Sequence, residues 1–151
     1  MKPGFYFGSG GGIEVEGLLS FGENFNATGK CTIICRNNIS FGDDNLISWD
    51  TLIMDSDQHI LRSGSKNGSI NYDGKIKIGN HVWISSNVNV LKNTIVADGC
   101  VVGCNTLLHG AYKQENALIA GIPAKRCKEN IEWNLEKPGQ EPQLEIKEVK
   151  I

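Results

Sequence analysis

Alanine is scarce in this chain, with six residues of 151, while glycine supplies eighteen and asparagine fifteen. Residues that weaken helices thus far outnumber the strongest helix former. That imbalance excludes a helical bundle and disfavours a helix-rich doubly wound α/β fold. The glycines follow no three-residue period, which excludes collagen. No apolar run approaches the ~20 residues of a membrane-spanning helix. The opening MKPGFYFGSGGG lacks both the apolar core of a signal peptide and the Arg-rich pattern of a transit peptide, so a cytoplasmic location is expected. Charge excess is missing as well. Fifteen Lys and Arg against seventeen Asp and Glu leave −2, no basis for binding nucleic acid. The five cysteines are odd in number, and their C-x-x-x-C spacings, Cys31/Cys35 and Cys100/Cys104, are not those of paired C-x-x-C zinc ligands. Reduced, mostly buried thiols and no bound metal are expected.

What the chain does have is 40 % hydrophobic residues, enough for a core, set out with a period. Ile78, Ile84, Val90, Val96, Val102 and Leu108 stand six apart. Val82, Val88, Thr94, Cys100 and Thr106 fall at the fourth offset, all small or β-branched. Six is a multiple of the strand period and not of 3.6, so the series suits strands and no single helical face. Cys35, Phe41, Ile47 and Ile53 keep the same spacing, and the next step lands on His59. Ile13, Leu19 and Phe25 hint at earlier units separated from Cys35 by a phase shift. After His59 the phase breaks, and residues 60–75, rich in Gly, Ser and Asn, read as an excursion from the repeat. Long loops in compact domains often carry function, although a plain surface insertion is equally compatible with the composition. Past Leu108 a Gly-Ile-Pro turn is followed by ENIEWNLE, which predicts a short helix capped near Asn130. The expected organisation is one domain of repeated strands over 1–127, with its loop at 60–75, and a C-terminal helix and tail over 128–151.

These units resemble the hexapeptide-repeat acyltransferases. The stretch IGNHVWISSNVNVLKNTIVADGCVVGCNTLL, the later ALIAGIPAKR, and ISFGDDNLISWDTLIMDSDQH carry the resemblance, which spans about residues 31–127. It is strongest toward the galactoside, maltoside and capsular-polysaccharide O-acetyltransferase branch. The resemblance implies an all-β fold, a left-handed parallel β-helix with three hexapeptides per coil. Ile78 would then lie under Val96, Ile84 under Val102 and Val90 under Leu108. It further implies acetyl-CoA as acyl donor, a saccharide acceptor, and a homotrimer with its sites between subunits.

His59 matches the family's catalytic histidine, and an imidazole suits removal of a hydroxyl proton near neutral pH. Asp57 or Asp55 would fix its tautomer; spacing does not choose between them, and both are also ordinary turn residues. Ser86 matches the residue whose amide meets the thioester carbonyl. Trp83 would wall the acceptor or pantetheine pocket, or form a subunit contact. Cys104, Ala120 and Gly121 match the stretch along which the pantetheine arm runs, and Lys125 and Arg126, with Lys128, are placed for the CoA phosphates. His81 falls mid-unit and is expected at the surface, while His109, just past the last clear repeat, is a weaker candidate for the CoA channel. The three histidines lie 22 and 28 residues apart, without the close pair that a γ-type carbonic anhydrase uses. Two other functions suit the same fold, N-acetylation of an amino sugar and a non-catalytic β-helix scaffold.

Overall fold

Short runs of alternating aliphatic residues, each ended by Asn, Asp or Gly, become short parallel strands joined by corners. A computed structural model of the chain describes residues 4–64 and 67–139. Five coils each carry three strands. The first has β1 (Tyr6–Phe7), β2 (Gly12–Val15) and β3 (Leu18–Ser20), and the second β4 (Asn26–Ala27), β5 (Thr32–Cys35) and β6 (Asn38–Phe41). The third has β7 (Leu46–Ile47), β8 (Leu52–Met54) and β9 (Lys75–Ile78). The fourth has β10 (Trp83–Ile84), β11 (Asn89–Leu91) and β12 (Thr94–Val96), and the fifth β13 (Val101–Val102), β14 (Leu107–Leu108) and β15 (Ala111–Tyr112). A last turn, β16 (Leu118–Gly121) and β17 (Ala124–Lys128), folds as an antiparallel hairpin.

Strands that share a place in successive coils pair in parallel, giving three sheets that are the faces of a triangular prism. This is the left-handed parallel β-helix that the family resemblance implies. The register bears out the expected stacking, with Ile78 paired to Val96, Ile84 to Val102 and Val90 to Leu108. Alternation along β9 puts Ile76 and Ile78 inside and Lys75 and Lys77 outside. Ile33, Ile53, Val90 and Leu108 make one fully buried column, each such side chain contributing roughly 1.5–3 kcal/mol by leaving water. Phe21, Phe25 and Phe41 pack ring against ring near the first coils, with centroids 4.5–5.3 Å apart.

Coil length varies mainly at one corner, between the second and third faces. From the first coil to the second, Gly12 pairs with Thr32, a step of 20 residues. From the third to the fourth, Leu52 pairs with Asn89, a step of 37, and from the fourth to the fifth, Asn89 pairs with Leu107, a step of 18. Between the second and third faces the first two coils carry two extra residues each and the third nineteen (37 − 18), while the fifth has two fewer there and one more before β16. The excursion expected after His59 is the largest of these insertions.

The glycine and asparagine excess also finds its causes here. A Cβ on Gly42 would lie 2.8 Å from the backbone of Gly79, one coil up, so close approach of coils is what demands glycine there. Asn87, Asn93, Asn105 and Asn116 turn corners at positive φ, which asparagine tolerates better than most residues. Asn45 works differently. It is fully buried, its amide donates to the Gly42 and Gly79 carbonyls, and its oxygen accepts from the Val82 amide.

The expected C-terminal helix does not form. Among the described residues there is no helix, and 130–139 run as irregular chain. The Ile131 amide donates to Asn116, and Trp133 stacks on His81 with centroids 4.2 Å apart, its indole N–H donating to the His81 carbonyl at 2.9 Å. Burying one large aromatic against the β-helix overrides the weak helical preference of a short segment. Residues 140–151, the rest of the expected tail, lie outside the described residues.

Candidate active site

The sequence candidates fall on two different edges of the prism. The first edge lies between the second and third faces, where β8 ends and the long loop leaves. The chain runs Asp55, Ser56, Asp57, Gln58, His59 and comes back at Gly74, whose amide donates to the Asp55 carbonyl at 2.8 Å. His59 is exposed, and among the described residues its ring makes no hydrogen bond and no ring contact. It borders an open cleft of about 270 Å³ together with Arg36, Ser56, Asn71 and Tyr72. Arg36 there is held by Glu16 at 2.9 Å and lies 4.0 Å from Asp73.

The two aspartates have separate jobs. Asp55 is fully buried. One of its oxygens accepts from the Arg36 amide at 2.8 Å, and the other from the Asn37 and Asn38 amides at 2.9 and 2.8 Å. Three successive N–H groups of the second coil's corner thus close on one carboxylate of the third. The Asp55 carboxylate thus belongs to the frame of the β-helix, and among the described residues no hydrogen bond joins it to His59. Asp57 reaches outward to the Lys92 ammonium and to the Asn71 side-chain amide, the latter at 2.7 Å. Lys92, and then Asn71, hold the Asp57 carboxyl below the usual carboxylate range. Its contact with His59 is through the backbone, the His59 amide donating to the Asp57 carbonyl at 2.7 Å.

The second edge lies between the first and second faces. Ser86 turns this corner in the fourth coil and Cys104 in the fifth, directly above, since the Asn105 amide donates to the Ser86 carbonyl at 3.2 Å. Ala120 and Gly121 end β16 one coil higher. A Cβ on Gly103 would come within 3.1 Å of the Ala120 methyl, and the Gly121 amide donates to Thr106 Oγ1 at 3.2 Å. Ser86, Cys104, Ala120 and Gly121 therefore form a column of small residues parallel to the prism axis. Among the described residues the Ser86 amide has no acceptor, so it is available as a donor to an oxyanion. Lys125 sits opposite Ala120 in the hairpin. Arg126 does not join the column. It pairs with Glu129 at 2.8 Å and borders a separate recess with Tyr112, Lys113 and Ile119.

Trp83 stands on the outer side of the first face, its indole N–H donating to Ser48 Oγ at 3.2 Å and its ring 6.0 Å from that of Trp133. His81 is at the surface as expected, with the added task of anchoring Trp133. His109 lies on the His59 edge, at the corner after β14, away from the column of small residues. Trp133, Asn71 and Lys92 were not indicated by sequence. Trp133 falls outside the repeat, and nothing in their spacing tells Asn71 or Lys92 from other polar corner residues. Among the described residues no group of three or more His, Cys, Asp or Glu could hold a metal ion, and no helix is long and apolar enough to cross a membrane.

The chain resembles known proteins across most of its length. Residues 75–110 match the family model described as bacterial transferase hexapeptide (six repeats). WbbJ of Escherichia coli K12, assigned to lipopolysaccharide biosynthesis as an O-acetyl transferase, is 31 % identical over 134 residues, covering 81 % of this chain and 68 % of that protein. The polysialic acid O-acetyltransferase of Neisseria meningitidis is 39 % identical over 121 residues, covering 80 % and 54 %. Among solved structures, the polysialic acid O-acetyltransferase OatWY superposes with a TM-score of 0.70 at 30 % identity, over 90 % of this chain and 65 % of that one. This chain thus spans between about half and two thirds of the length of these relatives. With its six-residue repeat, its three-faced parallel β-helix and this similarity, the chain belongs to the hexapeptide-repeat acyltransferase family.

Proposed function

We propose that the protein transfers an acetyl group from acetyl-CoA to a hydroxyl of a saccharide, with His59 as general base. The observation that carries this reading is the histidine that stands where the six-residue series calls for an aliphatic residue, at the start of the long insertion. Its ring is exposed over a polar cleft, while a separate edge offers a free amide at Ser86 and a column of small residues above it. Similarity to proteins named as O-acetyltransferases supports transfer of an acetyl group to a hydroxyl acceptor.

In the proposed reaction an imidazole nitrogen of His59 takes the hydroxyl proton as the acceptor oxygen bonds to the thioester carbonyl carbon. The negative charge that develops on the carbonyl oxygen is met by the Ser86 N–H. Collapse breaks the carbon–sulfur bond, leaving the acetyl ester on the sugar, and the departing thiolate takes the proton back from the imidazolium. No covalent acyl-enzyme is needed. Cys104, Ala120 and Gly121 would flank the pantetheine arm, with Lys125 beyond them toward the phosphates. Arg126, tied to Glu129, would join it only by releasing that partner.

His59 and Ser86 occupy different edges of one prism, so the reaction needs the Ser86 edge of a second copy beside the His59 edge of the first. A homotrimer with parallel axes provides three such junctions. The test is release of free CoA with acetyl-CoA and saccharide acceptors, with mass spectrometry of the product to separate ester from amide. His59→Ala is expected to lower turnover by roughly 10²–10⁴-fold, the usual contribution of a general base, with CoA affinity retained. Turnover near the wild-type rate in that variant would refute the role of His59.

A further inference from the structure

We propose that Asn71 and Lys92 are positioning residues for His59, acting through Asp57; the inference rests on the reading of His59 as general base. His59 lies on an insertion of nineteen extra residues, and its ring has no hydrogen-bond partner among the described residues. Its placement is therefore set by what holds its backbone.

Both backbone polar groups of His59 are held. Its N–H donates to the Asp57 carbonyl at 2.7 Å, and its carbonyl accepts from Asn71 Nδ2 at 2.9 Å. The same Asn71 nitrogen donates to Asp57 Oδ2, while Asn71 Oδ1 accepts from the Leu61 amide at 2.8 Å and from Ser69 Oγ at 2.9 Å. One side chain from the returning limb of the loop thus clasps the outgoing limb at three places around His59. Lys92 fastens this clasp to the β-helix. It projects from the fourth coil's corner on the same edge, and its ammonium meets both the Asp57 carboxylate and the Tyr72 carbonyl, the latter at 3.0 Å. The Lys92 side chain is only 18 % exposed, which shields the pair from water more than an ordinary surface ion pair. Asp57 is the shared point of the two devices, and its service to His59 is positional. A base displaced by about 1 Å loses on the order of 10²-fold in rate, so these contacts bear directly on turnover.

The experiment measures kcat and KM for Asn71→Ala, Lys92→Met and Lys92→Arg, each alone and combined with His59→Ala. With His59 intact, Asn71→Ala and Lys92→Met are expected to lower kcat by roughly 10- to 100-fold. KM for acetyl-CoA should hold within about twofold, because that substrate's groups lie on the other edge. Lys92→Arg keeps the cation and should recover most of the loss, which keeps the test valid even where Asn71→Ala unfolds. In the His59→Ala background the same changes should cost nothing further, since they act only through His59. Single variants at wild-type kcat, beside an impaired His59→Ala, would overturn the positioning role alone. An undiminished loss in the His59→Ala background would overturn it too, by showing a route that bypasses the histidine. Normal turnover in His59→Ala would instead remove the base assignment.

Discussion

Replacing Asp55 by alanine should damage the fold, whereas replacing Asp57 by asparagine should not. The Asp55 carboxylate is fully buried and accepts three amide bonds of 2.8–2.9 Å. A hydrogen bond to a charged group contributes about 1.5–3 kcal/mol, and three on one carboxylate are not additive. Water reaches part of this corner once the side chain is gone, so about 3 kcal/mol is the expected loss. For a chain of this size each kcal/mol moves Tm by about 2–4 °C, giving a fall of roughly 6–12 °C. Asp55→Asn should fall between wild type and alanine. Its oxygen can keep the Asn37 and Asn38 amides, but its NH₂ group must then face the Arg36 N–H. Asp57→Asn loosens a partly shielded pair that fastens a surface loop and not the frame, so Tm should fall by no more than about 2–4 °C, the equivalent of about 1 kcal/mol. Differential scanning calorimetry of the three variants gives the values directly. A wild-type Tm in Asp55→Ala together with lost turnover would refute the structural role and return Asp55 to the catalytic pair.

Thiol reactivity should divide the cysteines two and three. Cys104 and Cys127 are exposed. Cys31 is buried and its thiol is pushed up to about 12, while burial also raises Cys35 and Cys100. Titration of the native protein with an aromatic disulfide at pH 8 should show two fast thiols, and all five only after denaturation. Bound CoA should slow Cys104 and leave Cys127 unchanged. Trp133→Phe keeps the stack on His81 and loses the indole N–H bond, a cost of about 1 kcal/mol. Trp133→Ala should release the Ile131 amide to rapid hydrogen exchange and shift Trp83 emission to the red.

The later coils were legible because nothing disturbs their count between Ile78 and Leu108. Ile78, Ile84, Val90, Val96, Val102 and Leu108 all point inward and stack at a step of eighteen. The early coils obey the same rule but hide it. Two extra residues at one corner, as at Arg36–Asn37, shift the count by two and leave the inward parity intact. The column Ile13, Ile33, Ile53 therefore has a step of twenty. His59 was visible as a polar residue in an aliphatic place, and the loop after it as a break in phase. The jobs of Asp55 and Asp57 were not visible, because the partners that decide them come from neighbouring coils, the 36–38 amides below and Lys92 above. Sequence spacing records which residues share an edge once the coil length is known; it does not record which way an edge residue turns. Arg126 illustrates the limit, being one residue from Lys125 and yet engaged with Glu129. The expected helix after Asn130 failed for a related reason, since Trp133 has its partner fifty-two residues away in sequence.

In the proposed reaction a working site joins the His59 edge of one copy to the Ser86 edge of another. The most direct test mixes two variants, each inactive alone: His59→Ala, and Cys104→Trp, which places an indole in the column of small residues. Random reassembly of equal amounts pairs an intact His59 edge with an intact opposing edge at one junction in four, so recovery of about a quarter of wild-type activity is expected. A mixture no more active than its parents, after exchange of subunits has been verified by mass, would contradict it.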